Sequence, residues 1–429
     1  MRKAVHRFKK TMESIAHKTR MLYRKSCAFF EIPSFSSSLY FCSLFLAIAI
    51  IVLRRSMLIA YLGGPVFTAV SIVSMVLLLL SELTYKGRTA RKTYLICCLI
   101  VVFGAAEALI TDTISIFFLA AFIVSARKES LRMIAKCCLL AVSLCCVMIV
   151  GSALCGITTD YIWVQGNAGD LRIRHGLGFS YTTYLGHFIF FGTLILFYLK
   201  QGHFSGLLSI SIIGLAALVF FLTDTRNALI LTLLVVACSF LPHWLFRANP
   251  LSQKASRAWA ALIPVVAIVS IAMMIFYTPA PFWDFLNDIF SHRLSISHRT
   301  FETFGMSWFG QDIDWRGNGL TSDWVEKTEG PITYIDNSFA NIFMHFGVIF
   351  FVCLVIALAV LLYRFAQAGN RVMLFVFAFI TLNAFFDSFL IEFYYNIFIL
   401  SLGTDLLKAL NGHYLEKGFG HTKNLSSSR

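Results

Sequence analysis

Charged residues are scarce in this chain of 429 residues, since Asp, Glu, Lys and Arg make up 14% of it against 58% hydrophobic residues. Proline is also rare, with 8 residues, so few positions interrupt the long apolar runs. A soluble domain carries roughly 25% charged residues. The apolar material here exceeds what a soluble core could bury, so the composition predicts a protein that crosses a membrane several times.

The sequence has no Cys-x-x-Cys pair, no Walker phosphate loop, no Rossmann glycine pattern and no internal repeat. All but one of the 11 cysteines fall within or at the ends of apolar runs, where a free cysteine packs as a small hydrophobic residue. We therefore predict no metal site, no cofactor and no ATP-driven transport. Much of the net charge of +14 lies near the N-terminus and in short loops, which indicates contact with anionic lipid and not with nucleic acid.

The apolar runs predict an all-α polytopic integral membrane protein with about twelve transmembrane helices, since about 20 residues cross the hydrocarbon layer. These runs cover residues 38–53, 56–80, 93–111, 113–126, 137–157, 179–199, 204–223, 226–246, 258–277, 338–362, 372–387 and 388–407. The prediction divides the chain into a basic cytoplasmic arm (1–37), a transmembrane domain (38–407) and a cytoplasmic tail (408–429). One large extracytoplasmic loop, residues 278–337, lies late in the chain.

The positions of Lys and Arg predict the orientation, because cytoplasmic loops retain an excess of both. With both termini in the cytoplasm, 27 of the 36 basic residues lie on the inner face. The outer face receives Arg54, Arg55, Arg172, Arg174, Arg226, Arg293, Arg299, Arg316 and Lys327. Nearly all of these are arginines, whose planar guanidinium group fits phosphate and carboxylate oxygens. We therefore expect an anionic ligand at the outer face.

Three of the outer arginines are candidates for binding that anion. Arg174 precedes a glycine-containing bend, Arg226 stands at a tight polar turn, and Arg299 lies in the long loop. Each also has an ordinary structural alternative. Arg174 can extend to the membrane surface, Arg226 can pair with Asp224, and Arg299 can pair with Glu302 at helical spacing.

Several short motifs, taken in their order along the chain, resemble those of the Wzy-type polysaccharide polymerases, which share a superfamily with the O-antigen ligases. The motifs are Arg174-His175-Gly176-Leu177-Gly178-Phe179, Leu222-Thr223-Asp224-Thr225-Arg226, Ser297-His298-Arg299, Gly317-Asn318-Gly319, Ile335-Asp336-Asn337-Ser338-Phe339, and Glu392 with Asn396. The resemblance covers about residues 38 to 407 and implies a GT-C-like architecture. It implies metal-independent transfer of a glycan chain from undecaprenyl diphosphate to the terminal sugar hydroxyl of a lipid-linked repeat unit. The reaction would take place at the outer face of a bacterial cytoplasmic membrane.

The resemblance also implies roles for individual residues. Arg174, Arg226 and Arg299 would bind the pyrophosphate and stabilise its developing charge. Asp336 is the first candidate for the general base, followed by Glu302 and His298. The supporting residues would be Asn337, His345 and Glu392, although His345 can equally bond within the helix bundle and Glu392 can pair with an arginine.

The implied partners are the lipid-linked oligosaccharide, membrane lipid, a chain-length regulator and a flippase. Two departures from the family pattern matter. Ser180-Tyr181 follows the Gly-Leu-Gly-Phe motif where many relatives have His-Pro-Asn, and Asp336-Asn337 stands where ligases tend to place a His before the Asn. The second departure favours a polymerase over a ligase. A ligase-type transferase and an oligosaccharide-lipid flippase remain the alternatives, although a flippase would be expected to have two similar halves.

Overall fold

The computed structural model describes residues 34–87, 89–165, 172–317 and 332–410. The predicted basic arm up to residue 33, Asn318-Gly319 of one motif, Lys327 and the tail after residue 410 lie outside the described residues. The described chain is mostly helical. Its one sheet among these residues is a two-stranded antiparallel hairpin of β1 (Ile162–Gln165) and β2 (Arg172–His175).

Among the described residues, seven helices are long and apolar enough to cross a membrane. They are α1 (Phe35–Arg54), α2 (Ile59–Thr84), α3 (Arg91–Ile110), α5 (Leu131–Leu154), α7 (Gly206–Thr223), α9 (Gln253–Ile275) and α13 (Gly347–Ala368). Shorter apolar helices are α4 (Ile114–Ala126), α6 (Tyr184–Leu199), α8 (Arg226–Cys238) and α14 (Arg371–Phe386). The count of twelve spans stays a prediction.

Two predicted spans differ in detail from the structure. The run 338–362 is divided into α12 (Ser338–His345) and α13, because Gly347 adopts a φ of 77° at the junction. The run 388–407 is irregular up to Asn396 and continues as a 3₁₀ turn (Ile397–Leu400), a π turn (Leu402–Leu407) and a last helical turn (Lys408–Leu410). The loop after α9 also holds two helices, α10 (Pro281–Ile289) and α11 (Arg293–Phe304).

The outward surfaces of the long helices are apolar. Leu109 is 86% exposed and Phe221 is 84% exposed, and many other large apolar side chains on these helices are also exposed. Contact of so much apolar surface with water would be unfavourable. Transfer of one large apolar side chain out of water lowers the free energy by roughly 1.5–3 kcal/mol. The helix layer is therefore that of a membrane-embedded protein.

Serine pairs hold α1 and α2 close together. The Ser43 hydroxyl donates to the Ser74 carbonyl at 2.7 Å, and the Ser74 hydroxyl donates to the Ser43 carbonyl at 2.9 Å. Ser36 and Ser81 make the same reciprocal contacts at 2.8 and 2.7 Å. Small hydroxyl side chains allow close approach of two helices and satisfy each other's polar groups inside an apolar layer.

Successive helices end alternately at two faces of the layer. We name one of these faces the site face. At this face α1, α7 and α14 end, and α6, α8 and α12 begin. There the backbone amide of Met57 donates to the Gly178 carbonyl at 2.8 Å, and Arg293 donates to the Phe386 carbonyl. At the opposite face Arg127 pairs with Glu82 at 2.9 Å. The outer arginines predicted from the sequence are all at the site face, whichever side of the membrane it occupies.

Candidate functional site

Three arginines converge on one carboxylate at the site face. Asp224 follows α7 in a left-handed conformation with a φ of 47°. Its Oδ1 lies 3.2 Å from Arg226 Nε, and its Oδ2 lies 3.8 Å from Arg172 Nη1. The Arg174 guanidinium is close enough to interact electrostatically with the same carboxylate and with both other arginines. We name these four residues the arginine cluster; it carries two positive charges in excess.

The β-hairpin explains why two of these arginines point the same way. Alternate residues of a strand share one face, so Arg172 and Arg174 project together from β2. Trp163 lies directly opposite Arg174 in the register, and the guanidinium carbon of Arg174 lies 5.3 Å from the centroid of the Trp163 ring. The sequence predicts a loop between the apolar runs 137–157 and 179–199, because four-residue strands are too short for a clear alternating pattern.

Arg174 is the most deeply set member of the cluster, with 8% of its surface exposed. Its Nε donates to the Thr223 carbonyl at 2.9 Å, which holds the side chain without neutralising it. Burial lowers the pKa of Arg174, and the negative charge of Asp224 opposes that change. A guanidinium group that is buried but not fully compensated is suited to receive an anion.

A second group of charges lies at the start of α12 and the end of α14. Arg293 Nε lies 3.1 Å from Asp336 Oδ2, and Arg293 Nη1 lies 3.7 Å from Asp387 Oδ1. His187 on α6 places its Nε2 3.0 Å from Asp387 Oδ2. Two potential cations thus alternate with two carboxylates, and we name these four residues the acid cluster.

Asp387 is the centre of the acid cluster and is 7% exposed. Besides Arg293 and His187, its carboxylate accepts hydrogen bonds from the side-chain amides of Asn227 and of Asn383, the latter at 3.2 Å. These donors come from α6, α8, α11 and α14. Asp387 therefore joins four helices and orients Arg293 toward Asp336.

Asp336 is more accessible than Asp387, with 34% of its side chain exposed. Burial raises the pKa of Asp336 from 3.8 to about 6, although Arg293 and His187 oppose the rise. The adjacent Asn337 begins α12 by accepting from the amides of Phe339 and Ala340 at 2.9 and 3.0 Å. Because Asn337 is bound to α12 in this way, the carboxylate of Asp336 is held at a defined place.

Tyr181 connects the two clusters. Its phenol lies close enough to Asp336 and Arg293 of the acid cluster and to Arg174 of the arginine cluster for their charges to influence its pKa. Burial and the charge of Asp336 raise the pKa of Tyr181, so its hydroxyl stays protonated and can donate a hydrogen bond. The two clusters accordingly form one polar site on the site face.

The structure places three of the sequence candidates away from this site. Arg299 is exposed and donates from Nη2 to the Ile332 carbonyl at 2.7 Å. His298 Nε2 lies 3.4 Å from Glu302 Oε1, and the Glu302 side chain is 66% exposed. Glu302 follows Arg293 by nine positions, which is two and a half helical turns, so it projects from the opposite side of α11. The Arg299–Glu302 pair considered from the sequence is replaced by the His298–Glu302 pair.

The two remaining supporting candidates have structural partners. His345 is 6% exposed, and its Nε2 is 2.8 Å from the Thr113 hydroxyl, within the helix bundle. Glu392 interacts electrostatically with Arg55, an arginine partner of the kind that the sequence predicts for it. Neither residue contacts the acid cluster among the described residues.

Besides Asp224, which the sequence offers as a partner of Arg226, five residues of the site were not among the sequence candidates: Arg172, Tyr181, His187, Arg293 and Asp387. A usable signal existed for three of them. Arg172 and Arg293 belong to the set of outer arginines, and Asp387 interrupts an otherwise apolar run. An ionisable residue inside such a run usually faces the protein interior and has a function. His187 had no such signal, since a lone histidine in an apolar helix is most often a structural residue.

Comparisons with known protein families, with characterised proteins and with solved structures found no match to this chain. The chemistry of the site is that of a paired cation and carboxylate beside a group of arginines, of which Arg174 is buried. The arginine cluster can hold an anion with two or more negative charges. Asp336 can accept a proton near neutral pH, because its pKa lies close to that range.

Proposed function

We propose that this protein is a membrane glycosyltransferase of the polysaccharide polymerase type. It transfers a glycan chain from an undecaprenyl diphosphate carrier to the terminal sugar hydroxyl of a second lipid-linked repeat unit. The observation that carries the proposal is the position of Asp336 beside Arg293, next to an arginine cluster with two excess positive charges. A diphosphate leaving group and a hydroxyl acceptor require these two kinds of site side by side.

The arginine cluster is suited to bind the diphosphate. As the bond between the sugar and the diphosphate breaks, negative charge collects on the leaving phosphate oxygens. Arg172, Arg174 and Arg226 supply donors for this charge without the help of a metal ion. Arg174 is already held by the Thr223 carbonyl, so little rearrangement is needed when the diphosphate binds. The carrier then leaves as undecaprenyl diphosphate.

Asp336 is suited to act as the general base. The acceptor hydroxyl attacks the anomeric carbon, the new glycosidic bond forms, and the hydroxyl proton passes to the Asp336 carboxylate. Arg293 keeps that carboxylate in place, and Asp387 keeps Arg293 in place. On this proposal the site face is the outer face of a bacterial cytoplasmic membrane, with both termini in the cytoplasm.

The first test is to express the protein in cells that lack their own surface-glycan polymerase, supply cognate repeat units and compare the lipid-linked glycan ladders. Wild-type protein should extend the ladder. Arg174→Gln should reduce extension about 10- to 100-fold, because one charged hydrogen-bond donor to the diphosphate contributes roughly 1.5–3 kcal/mol. Arg299→Gln should reduce it much less, since Arg299 is exposed and lies apart from the cluster.

Arg316→Gln serves as the control, since Arg316 is a partly exposed arginine that pairs with Asp314 at 2.9 Å. Equal losses in Arg174→Gln and Arg299→Gln would mean that the diphosphate site also includes Arg299. If wild-type protein joins only finished glycan to a different acceptor, it is a ligase. If it moves lipid-linked sugar across the membrane without extending it, the protein is a flippase and the proposal fails.

The transfer rate should also depend on pH. Asp336 must be deprotonated to accept the proton, and its pKa is raised to about 6, so the rate should rise with pH through about 6. Arg293 lowers this pKa by its positive charge, so Arg293→Gln should move the midpoint to higher pH. Initial rates between pH 5 and 8 in proteoliposomes provide the measurement. A flat profile in wild-type protein would exclude Asp336 as the base.

A further inference from the structure

A row of aromatic rings runs between the two ends of the site. The Trp163 and Tyr181 rings have centroids 6.5 Å apart, and the Tyr181 and Tyr184 rings have centroids 5.6 Å apart. All three residues are partly exposed. An arginine lies over the ring at each end, with Arg174 over Trp163 at 5.3 Å and Arg55 over Tyr184 at 5.7 Å. The row therefore begins at the arginine cluster and ends at Arg55.

A group of hydrogen-bonding side chains surrounds Arg55 at the far end of the row. Arg55 Nη1 donates to the Tyr184 hydroxyl and Nη2 donates to the Tyr394 hydroxyl, both at 3.3 Å. The Tyr394 hydroxyl also donates to the Glu392 carboxylate. Arg55 is exposed and Glu392 is partly exposed, so this group has donors and acceptors available to a ligand. None of these residues is used by the diphosphate or by the proton transfer proposed above.

The middle of the row lies beside the general base. Burial and the nearby charge of Asp336 raise the pKa of both Tyr181 and Tyr334, so both phenols lie near that carboxylate. Tyr334 also shares a 2.5 Å hydrogen bond with Ser388. A ligand lying on the row would thus pass Asp336. It would have the arginine cluster at one end and the Arg55 group at the other.

We propose that Trp163, Tyr181 and Tyr184, with the Arg55–Tyr394–Glu392 group, form a glycan-binding track that holds sugar rings next to Asp336. Aromatic rings present apolar faces to the C–H surfaces of a pyranose, while a guanidinium and a carboxylate bond its hydroxyls. The track binds sugars and not the diphosphate. The assignment rests on the proposed function for the identity of the glycan, but its binding chemistry is independent of catalysis.

Binding of a free oligosaccharide separates the two roles. The probe is the repeat-unit oligosaccharide, released by mild acid from lipid-linked material of cells in which this polymerisation step is blocked. It carries neither lipid nor phosphate. Binding to the purified full-length protein in detergent is measured by saturation-transfer NMR and calorimetry, with inorganic pyrophosphate as the second ligand.

Tyr184→Ala should weaken binding of the oligosaccharide about tenfold, which is the effect expected for loss of one aromatic contact. It should leave pyrophosphate binding unchanged, whereas Arg174→Gln should weaken pyrophosphate binding more than oligosaccharide binding. Tyr184→Phe keeps the ring but loses the hydroxyl that accepts from Arg55, so its effect should be smaller. Trp244→Ala is the control, because Trp244 is an exposed aromatic residue at the opposite face.

The track is disproved if wild-type protein does not bind the free oligosaccharide, or if Tyr184→Ala and Trp244→Ala bind it equally well. It is also disproved if Tyr184→Ala weakens both ligands to the same extent, since that result indicates general damage to the site. If the oligosaccharide binds in a Tyr184-dependent manner but wild-type protein extends no glycan, the track stands and the polymerase proposal fails.

Discussion

Asp336→Asn should lower the rate of glycan transfer about 10³-fold, and raising the pH should not restore it. An amide has nearly the shape of the carboxylate but cannot accept the proton of the attacking hydroxyl, and general base catalysis contributes roughly 10²- to 10⁴-fold. Arg293 keeps Asp387 as a partner at 3.7 Å in this variant, so the site should stay assembled. The measurement is the initial rate of polymer formation in proteoliposomes, at matched amounts of folded protein.

Asp314→Asn is the matched control for this experiment. Asp314 also pairs with an arginine, Arg316, at 2.9 Å, but its side chain is 53% exposed, and its loss should leave the rate within about twofold of wild type. Glu302→Gln tests the second sequence candidate. If Glu302→Gln abolishes transfer while Asp336→Asn retains more than about a tenth of the rate, the base is Glu302 and α11 must turn during the reaction.

Asp387→Ala should destabilise the protein by about 3–5 kcal/mol, the usual effect of removing one partner from a buried ion pair. The substitution leaves the 1%-exposed His187 without its carboxylate and Arg293 with Asp336 as its one remaining carboxylate partner in the acid cluster. The side-chain amides of Asn227 and Asn383 also lose their acceptor. Asp387→Asn keeps an acceptor oxygen and should cost less. The measurements are the free energy of unfolding in mixed detergent micelles and, as a second quantity, the midpoint temperature of thermal unfolding.

The chain offers a close control for this second substitution. Asp288 and His292 form another Asp–His pair at 3.7 Å, but their side chains are 72% and 69% exposed. Asp288→Ala should therefore cost less than about 1 kcal/mol, because exposed pairs contribute little. Equal losses for Asp288→Ala and Asp387→Ala would show that Asp387 is not a buried centre of charge.

The sequence grouped only some of the residues that make up the candidate site. Hydropathy and the distribution of Lys and Arg grouped the outer arginines, and in the described structure these arginines share one face. Among the candidates, Arg174, Arg226 and Asp336 enter the site, whereas Arg299, His298 and Glu302 do not. Arg293 and Arg299 illustrate the limit. They lie on the same helix at a separation of less than two turns, and only Arg293 faces the end of α14.

The glycosyl-transfer role stays a prediction that the experiments above address. The membrane side of the site and the count of spans also stay predictions. Two of the sequence motifs lie in segments that form part of the candidate site. The turn after α7 and the start of α12 both carry site residues, because each is a polar segment at the end of an apolar run. The β-hairpin and the contribution of His187 could not be predicted, since neither has a distinctive local pattern.

The membrane class and the common face of the arginines could be read from the chain alone, because hydropathy is a property of each segment by itself. A run of apolar residues must lie in lipid or in a core, and its polar ends must lie at an interface. Which arginine meets which carboxylate was decided only by the tertiary structure. Arg174 reaches Thr223 through the register of a hairpin, and His187 reaches Asp387 through the packing of α6 beside α14. Such contacts depend on how distant segments cross, and local sequence does not encode that geometry.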